Sequence, residues 1–91
     1  MYTIERTNSF KKAFKRCVKR GLDISLFETA INILVETGTL PQKYRPHKLS
    51  GQYRELWECH ISPDWLLIWS QNDETLTLIL IDTGSHSDIF G

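Results

Sequence analysis

The sequence predicts an α+β domain in which a helical hairpin packs on one side of a mainly antiparallel, four-stranded sheet, in the order β-α-α-β-β-β. Three observations carry that prediction. Residues 8–37 hold two apolar stripes at helical spacing, separated by a short link. Residues 52–81 hold three apolar or alternating runs parted by turn residues. A weaker alternating run, Tyr2-Thr3-Ile4-Glu5-Arg6, precedes both.

Taken in order, Tyr2–Arg6 reads as a short strand, and Thr7-Asn8-Ser9 supplies candidate helix N-caps. Phe10, Ala13, Phe14, Cys17 and Val18 form the first helical stripe, and Gly21 ends it. Asp23 or Ser25 caps a second helix, whose stripe runs Ile24, Phe27, Ile31 and Leu34, widened by Leu26 and Ala30 and closed by Gly38. The short link implies an antiparallel hairpin. Pro41, Pro46 and Gly51 then break regular structure, so 39–51 reads as an ordered loop carrying Lys43, Arg45, His47 and Lys48. The three later strands are expected at Gln52–Ile61, Trp65–Trp69 and Leu76–Ile81; the unbroken Trp65-Leu-Leu-Ile-Trp69 suits a central strand.

At 91 residues the chain is read as one domain, 1–91. No apolar run reaches the ~20 residues that span a bilayer, and the N-terminal residues lack the apolar segment of a secretion signal. Cys17 and Cys59 lie inside apolar patterns without CxxC spacing, which fits buried thiols in a reducing cytoplasm. The net charge of zero conceals a polarity. Residues 1–54 carry all 11 Lys and Arg against four acids, a balance of +7; residues 55–91 carry seven acids and no Lys or Arg, a balance of −7. Such a division points to a polyanion on the basic part, unless the two halves interleave and cancel.

All three histidines fall in the second half: His47 after Tyr44-Arg45-Pro46, His60 opening His60-Ile-Ser-Pro-Asp64-Trp65, and His86 in Thr83-Gly84-Ser85-His86. Histidine exchanges protons near neutrality, so three of them beside Asp64 make a candidate acid–base site. Each also has a plain reading: a surface histidine, a turn between strands, a polar tail that frays. Trp57, Trp65 and Trp69 read first as sheet core. A zinc site is the competing chemistry, but HxxxH and CxxC pairs are absent and no metal is expected. Cys59 has no cationic neighbour to make it a nucleophile.

Leu49-Ser-Gly51, Trp57-Glu-Cys-His60-Ile-Ser-Pro-Asp64-Trp65-Leu-Leu-Ile68 and Thr83-Gly-Ser-His86-Ser-Asp-Ile-Phe90 resemble the YafQ branch of the RelE/ParE toxin superfamily. The resemblance spans nearly the whole chain and extends to the element order, the basic first helix and the length. It implies a toxin of a bacterial type II toxin–antitoxin pair, a cytoplasmic endoribonuclease that enters the ribosomal A site and cuts mRNA without metal or other cofactor. Its implied partners are a cognate antitoxin, the 70S ribosome and mRNA, with operator DNA reached only through the antitoxin and no membrane.

The same resemblance makes His47, His60, Asp64 and His86 the acid–base set, with His86 the principal proton-transfer residue, His47 and Asp64 base or orienting partners, and His60 in support. Trp65 and Phe90 are implied to position RNA or the site. Lys11, Lys12, Lys15, Arg16 and Lys19 are expected to contact ribosomal RNA rather than merely solvate a helix face. One departure stands out: the family usually carries Arg immediately before the Thr-Gly-Ser-His stretch, and this chain has Asp82. A carboxylate there repels a phosphate, so Arg45, Lys48 and Arg54 become the candidate substitutes. The alternative is a catalytically weak member acting mainly through its antitoxin as a co-repressor.

Overall fold

A computed structural model of the chain describes residues 1–91. The elements are β1 (Thr3–Arg6), α1 (Asn8–Lys19), α2 (Ile24–Thr37), β2 (His47–Lys48), β3 (Trp57–Ser62), β4 (Trp65–Asn72), β5 (Thr77–Gly84) and α3 (His86–Phe90). They form one five-stranded sheet in the order β1-β5-β4-β3-β2, with β1 parallel to β5 and every other pairing antiparallel. The sheet therefore has five strands, not four. The extra one is the two-residue edge strand β2, too short for any periodicity to reveal.

The helices form where their caps and stripes predict. Thr7 accepts a hydrogen bond from the Phe10 amide and starts α1; Asp23 does the same for the Ser25 amide and starts α2. Phe10, Ala13 and Cys17 from α1 and Phe27, Ala30, Ile31 and Leu34 from α2 are buried. They meet Cys59, Ile61, Trp65, Leu67, Trp69, Leu78 and Leu80 of the sheet in one core. Three phenylalanines and Trp65 stack through it, with ring centroids 4.9 to 6.3 Å apart. The helices thus cover one sheet face, and strand alternation sends Glu58, His60, Leu66 and Ile68 to the other.

The strands differ from expectation at their ends. β3 starts at Trp57, not Gln52, because residues 51–53 make a tight turn and Glu55 has φ of 81°. β4 and β5 run on to Asn72 and Gly84. A bulge decides the polarity of the last strand. Trp69 pairs with Leu80 but Ile68 pairs with Asp82, which leaves Ile81 without a partner. That extra residue reverses the alternation: Leu78, Leu80 and Thr83 face the helices, whereas Asp82 faces away in the cross-strand row His47–Glu58–Ile68–Asp82. No helix is long and apolar enough to cross a membrane.

Candidate active site

The Thr83–Phe90 segment is ordered by its own residues. Thr83 is fully buried; its hydroxyl accepts from the Trp65 indole at 2.9 Å and donates to the Leu66 carbonyl at 2.7 Å. Gly84 has φ of 147°, and a Cβ there would lie 2.7 Å from the Asp88 carboxylate, so only glycine fits. Ser85 caps α3 in a reciprocal capping box with Asp88. Arg20, at the end of α1, grips Asp88 with both guanidinium prongs. This grip, with the capping box, holds the Asp88 carboxyl well below the usual carboxylate range. The segment that reads as a fraying tail is therefore a pinned helical turn, and it presents His86 at its first position.

Asp64, in the β3–β4 turn, takes hold of that histidine twice. Its Oδ1 lies 2.7 Å from His86 Nδ1 and accepts the His86 backbone N–H at 3.2 Å. These bonds, the ring contact first, lower the Asp64 carboxyl below its ordinary value. An ionised carboxylate accepts only, so His86 Nδ1 carries a proton and Nε2 is left free toward solvent. His60 stands beside it, ring centroids 5.7 Å apart. His60 Nδ1 faces the Pro63 carbonyl at 3.4 Å, a longer and looser contact that likewise leaves Nε2 free.

His47 lies in the neighbouring row. Its Nδ1 is 2.8 Å from the Arg45 carbonyl and its Nε2 is 3.3 Å from Glu58 Oε1. Glu58 is a site residue that sequence reasoning missed. It is 5% exposed, and its Oε2 has no protein partner. The available signal was alternation along β3: with Trp57, Cys59 and Ile61 facing inward, Glu58 must share the face of His60.

The structure brings together His60, Asp64 and His86, with His47 near by on the same face, and it sorts the remaining candidates. Phe90 is half-exposed and meets Tyr53 edge-on at 5.9 Å. Trp65 is 1% exposed in the core, so it supports the site from beneath through Thr83 and cannot stack on RNA. Lys48 is a correction: it pairs with Trp57 and lies 5.8 Å from that ring, on the sheet face opposite His47. Arg45 instead lines a groove of about 500 Å³ with Lys43, Tyr44, His60, Ser62 and Pro63, so Lys43 joins it as a cation beside the histidines. Arg54 is exposed and unpaired. Cys59 is buried and its thiol is pushed up to about 12 by desolvation, which leaves it chemically inert. No three His, Cys, Asp or Glu side chains converge as a metal-holding group.

The basic residues also separate cleanly. Lys11, Lys12, Lys15, Arg16 and Lys19 are all exposed on α1. Of the 11 Lys and Arg, only Arg20 reaches a carboxylate within ion-pair distance, so the two oppositely charged halves do not cancel by direct pairing.

Known proteins share both fold and sequence with this chain. It is 32% identical over 89 residues to the mRNA interferase toxin YafQ of Escherichia coli K12, covering 97% of this chain and 95% of that protein. Its structure superposes on that of the E. coli DinJ–YafQ complex with a TM-score of 0.89 at 29% identity, over 100% of both chains. A metal-bound toxin from Helicobacter pylori superposes equally well, with a TM-score of 0.89 at 38% identity, over 99% of this chain and 100% of that one. Residues 2–91 match the family described as the bacterial toxin of type II toxin-antitoxin systems, YafQ, and the chain belongs to that family.

Proposed function

We propose that this toxin is a cytoplasmic, single-domain endoribonuclease that cuts mRNA on the ribosome by acid–base catalysis, with a cognate antitoxin as its inhibitor. The relative named mRNA interferase supports the reaction class, and the DinJ–YafQ complex supports an antitoxin partner. The observation that carries the mechanism is the pair of histidines with free Nε2 atoms, one of them fixed by Asp64 at 2.7 Å.

The chemistry needs a base for the 2′-OH, an acid for the leaving 5′-oxygen and charge stabilisation on the phosphorus. His60, backed only by a carbonyl, is the base: its Nε2 takes the 2′-OH proton as O2′ bonds to phosphorus. His86, backed by a carboxylate that stabilises its doubly protonated form, is the acid: its Nε2 gives a proton to O5′ as the P–O5′ bond breaks. The products are a 2′,3′-cyclic phosphate and a 5′-hydroxyl. Side chains carry every proton transfer, and no step calls for a metal. Lys43 and Arg45 on the adjoining groove supply cations to the RNA backbone, and Phe90 offers a half-exposed ring for a base to stack on.

The test is cleavage of an mRNA held in the ribosomal A site. His86→Gln is expected to slow it by about 10²–10⁴-fold, and mRNA without ribosomes to stay intact. Cleavage of free mRNA at the same rate refutes the ribosome requirement. Replacing Lys12, Lys15 and Lys19 by Gln is expected to reduce the salt slope of ribosome binding by about two to three; an unchanged slope removes α1 from the contact.

The second reading, a weak nuclease acting chiefly through its antitoxin, is favoured by one observation. The bulge turns Asp82 onto the histidine face, in line with Glu58 and His47. Asp82→Arg is therefore expected to raise the cleavage rate several-fold, up to about 10-fold. A rate that does not rise means the missing arginine is not limiting.

A further inference from the structure

The contacts of His47 differ from those of the other two histidines, and hydrogen-bond complementarity gives the difference a meaning. The Arg45 carbonyl, 2.8 Å from Nδ1, can only accept, so Nδ1 carries a proton. In a neutral ring Nε2 would then be a bare lone pair. It faces Glu58 Oε1 at 3.3 Å, and a carboxylate oxygen is also a bare acceptor. Two acceptors at that distance repel, so one further proton must lie between them. An imidazole outcompetes a carboxylate for that proton near neutrality. The side-chain exposures point the same way: 48% for His47, which lets water solvate an imidazolium, and 7% for Glu58, whose negative charge needs a counterion.

Glu58 has no other cation. Its second oxygen has no hydrogen-bond partner, and Lys48, the neighbour of His47 in β2, faces the opposite side of the sheet. The pair is thus oriented, with the negative end inside and the positive end outward on the face that holds His60. Both ring nitrogens of His47 are also engaged by protein, whereas His60 and His86 each keep Nε2 free.

We infer that Glu58 is a positioning residue that locks His47 as an imidazolium, so that His47 enters the reaction as a fixed positive charge on the RNA phosphate and not as a proton-abstracting base. The inference rests on the ribonuclease reading above. It also supplies the electrostatic partner that Asp82 fails to provide: a histidine held charged from beneath takes the place of an arginine.

Two measurements test it. The first needs no activity: ¹⁵N–¹H correlation spectra of the histidine rings in the full chain near neutral pH. Wild-type His47 is expected to show the two similar nitrogen shifts of an imidazolium. Glu58→Gln, whose amide can donate to a neutral Nε2 in the same place, is expected to give the widely split shifts of a neutral ring. A neutral His47 in the wild type overturns the inference. The second is cleavage of ribosome-bound mRNA by His47→Arg and His47→Gln. A fixed charge predicts that Arg keeps the rate within about 10-fold of wild type while Gln loses about 10²-fold; equal losses in both variants restore His47 as a base. If the wild type itself does not cut, the ribonuclease reading falls, and the spectra still decide whether Glu58 holds the proton on His47.

Discussion

Two irregular stretches border the histidine face of the sheet, and they are built on opposite plans. Residues 83–90 answer nearly every polar group locally: Thr83 to Trp65, Ser85 to Asp88, Asp88 to Arg20, His86 to Asp64. Residues 39–56 are held more sparsely, by carbonyl contacts and by positive φ at Arg45, Gly51 and Glu55, two of which are not glycine. The first stretch fixes a ring whose angle decides where a proton goes. The second carries cations, whose action falls off slowly with distance and tolerates looser placement.

That contrast can be broken at matched positions. Gly84→Ala drives a Cβ into the Asp88 side chain at 2.7 Å and is expected to cost about 3 kcal/mol in denaturant unfolding, with loss of cleavage as α3 shifts. Gly51→Ala meets nothing within 4 Å and bears only the strain of φ +67°, so about 1 kcal/mol is expected, with cleavage largely kept. Equal costs at the two sites erase the distinction between the stretches.

A smaller effect sharpens it. Arg20 is 45% exposed, so Arg20→Ala is expected to cost at most about 1 kcal/mol near neutral pH. Its pH dependence is more telling. The folded Asp88 carboxyl sits below its unfolded value, so the unfolded chain binds more protons as pH falls. The stabilisation is present above the ordinary carboxylate range, about pH 4, and drains away below it. Arg20→Ala should flatten that acid loss in pH-dependent melting, though not abolish it, since Asp64 is shifted in the same direction by His86. An acid limb identical to wild type means that Arg20 does not stabilise Asp88.

Much of the frame is legible from residues alone. Thr7, Asp23 and Gly38 mark the helix ends, and the stripes of Phe10, Ala13, Cys17 and of Phe27, Ile31, Leu34 name the buried faces. What escapes detection depends on register. One unpaired residue, Ile81, turns Asp82 onto the histidine face and Thr83 into the core, and no local pattern announces it. Lys48 looks equivalent to Arg45 in sequence but lands on the far side because β2, two residues long, pairs where it does. Glu58 hides for the opposite reason: an acid in an apolar strand looks like surface until its neighbour across the ladder is known to be His47. The resemblance named the histidines; only the fold could tell that one of them has both nitrogens engaged.

The pairing of β1 with β5 has a consequence in time. Thr3 lies opposite Thr77 and Arg6 opposite Leu80, so the strand made first in synthesis has its partner among the elements made last. Until residues 77–84 exist, β1 has nothing to pair with and one edge of β4 stays open. Such long-range closure is slow compared with helix formation. The helices and their basic face can therefore assemble well before the sheet closes, and His86 is set in place only after that closure. A nascent chain of this toxin carries its charges early and its cutting edge late.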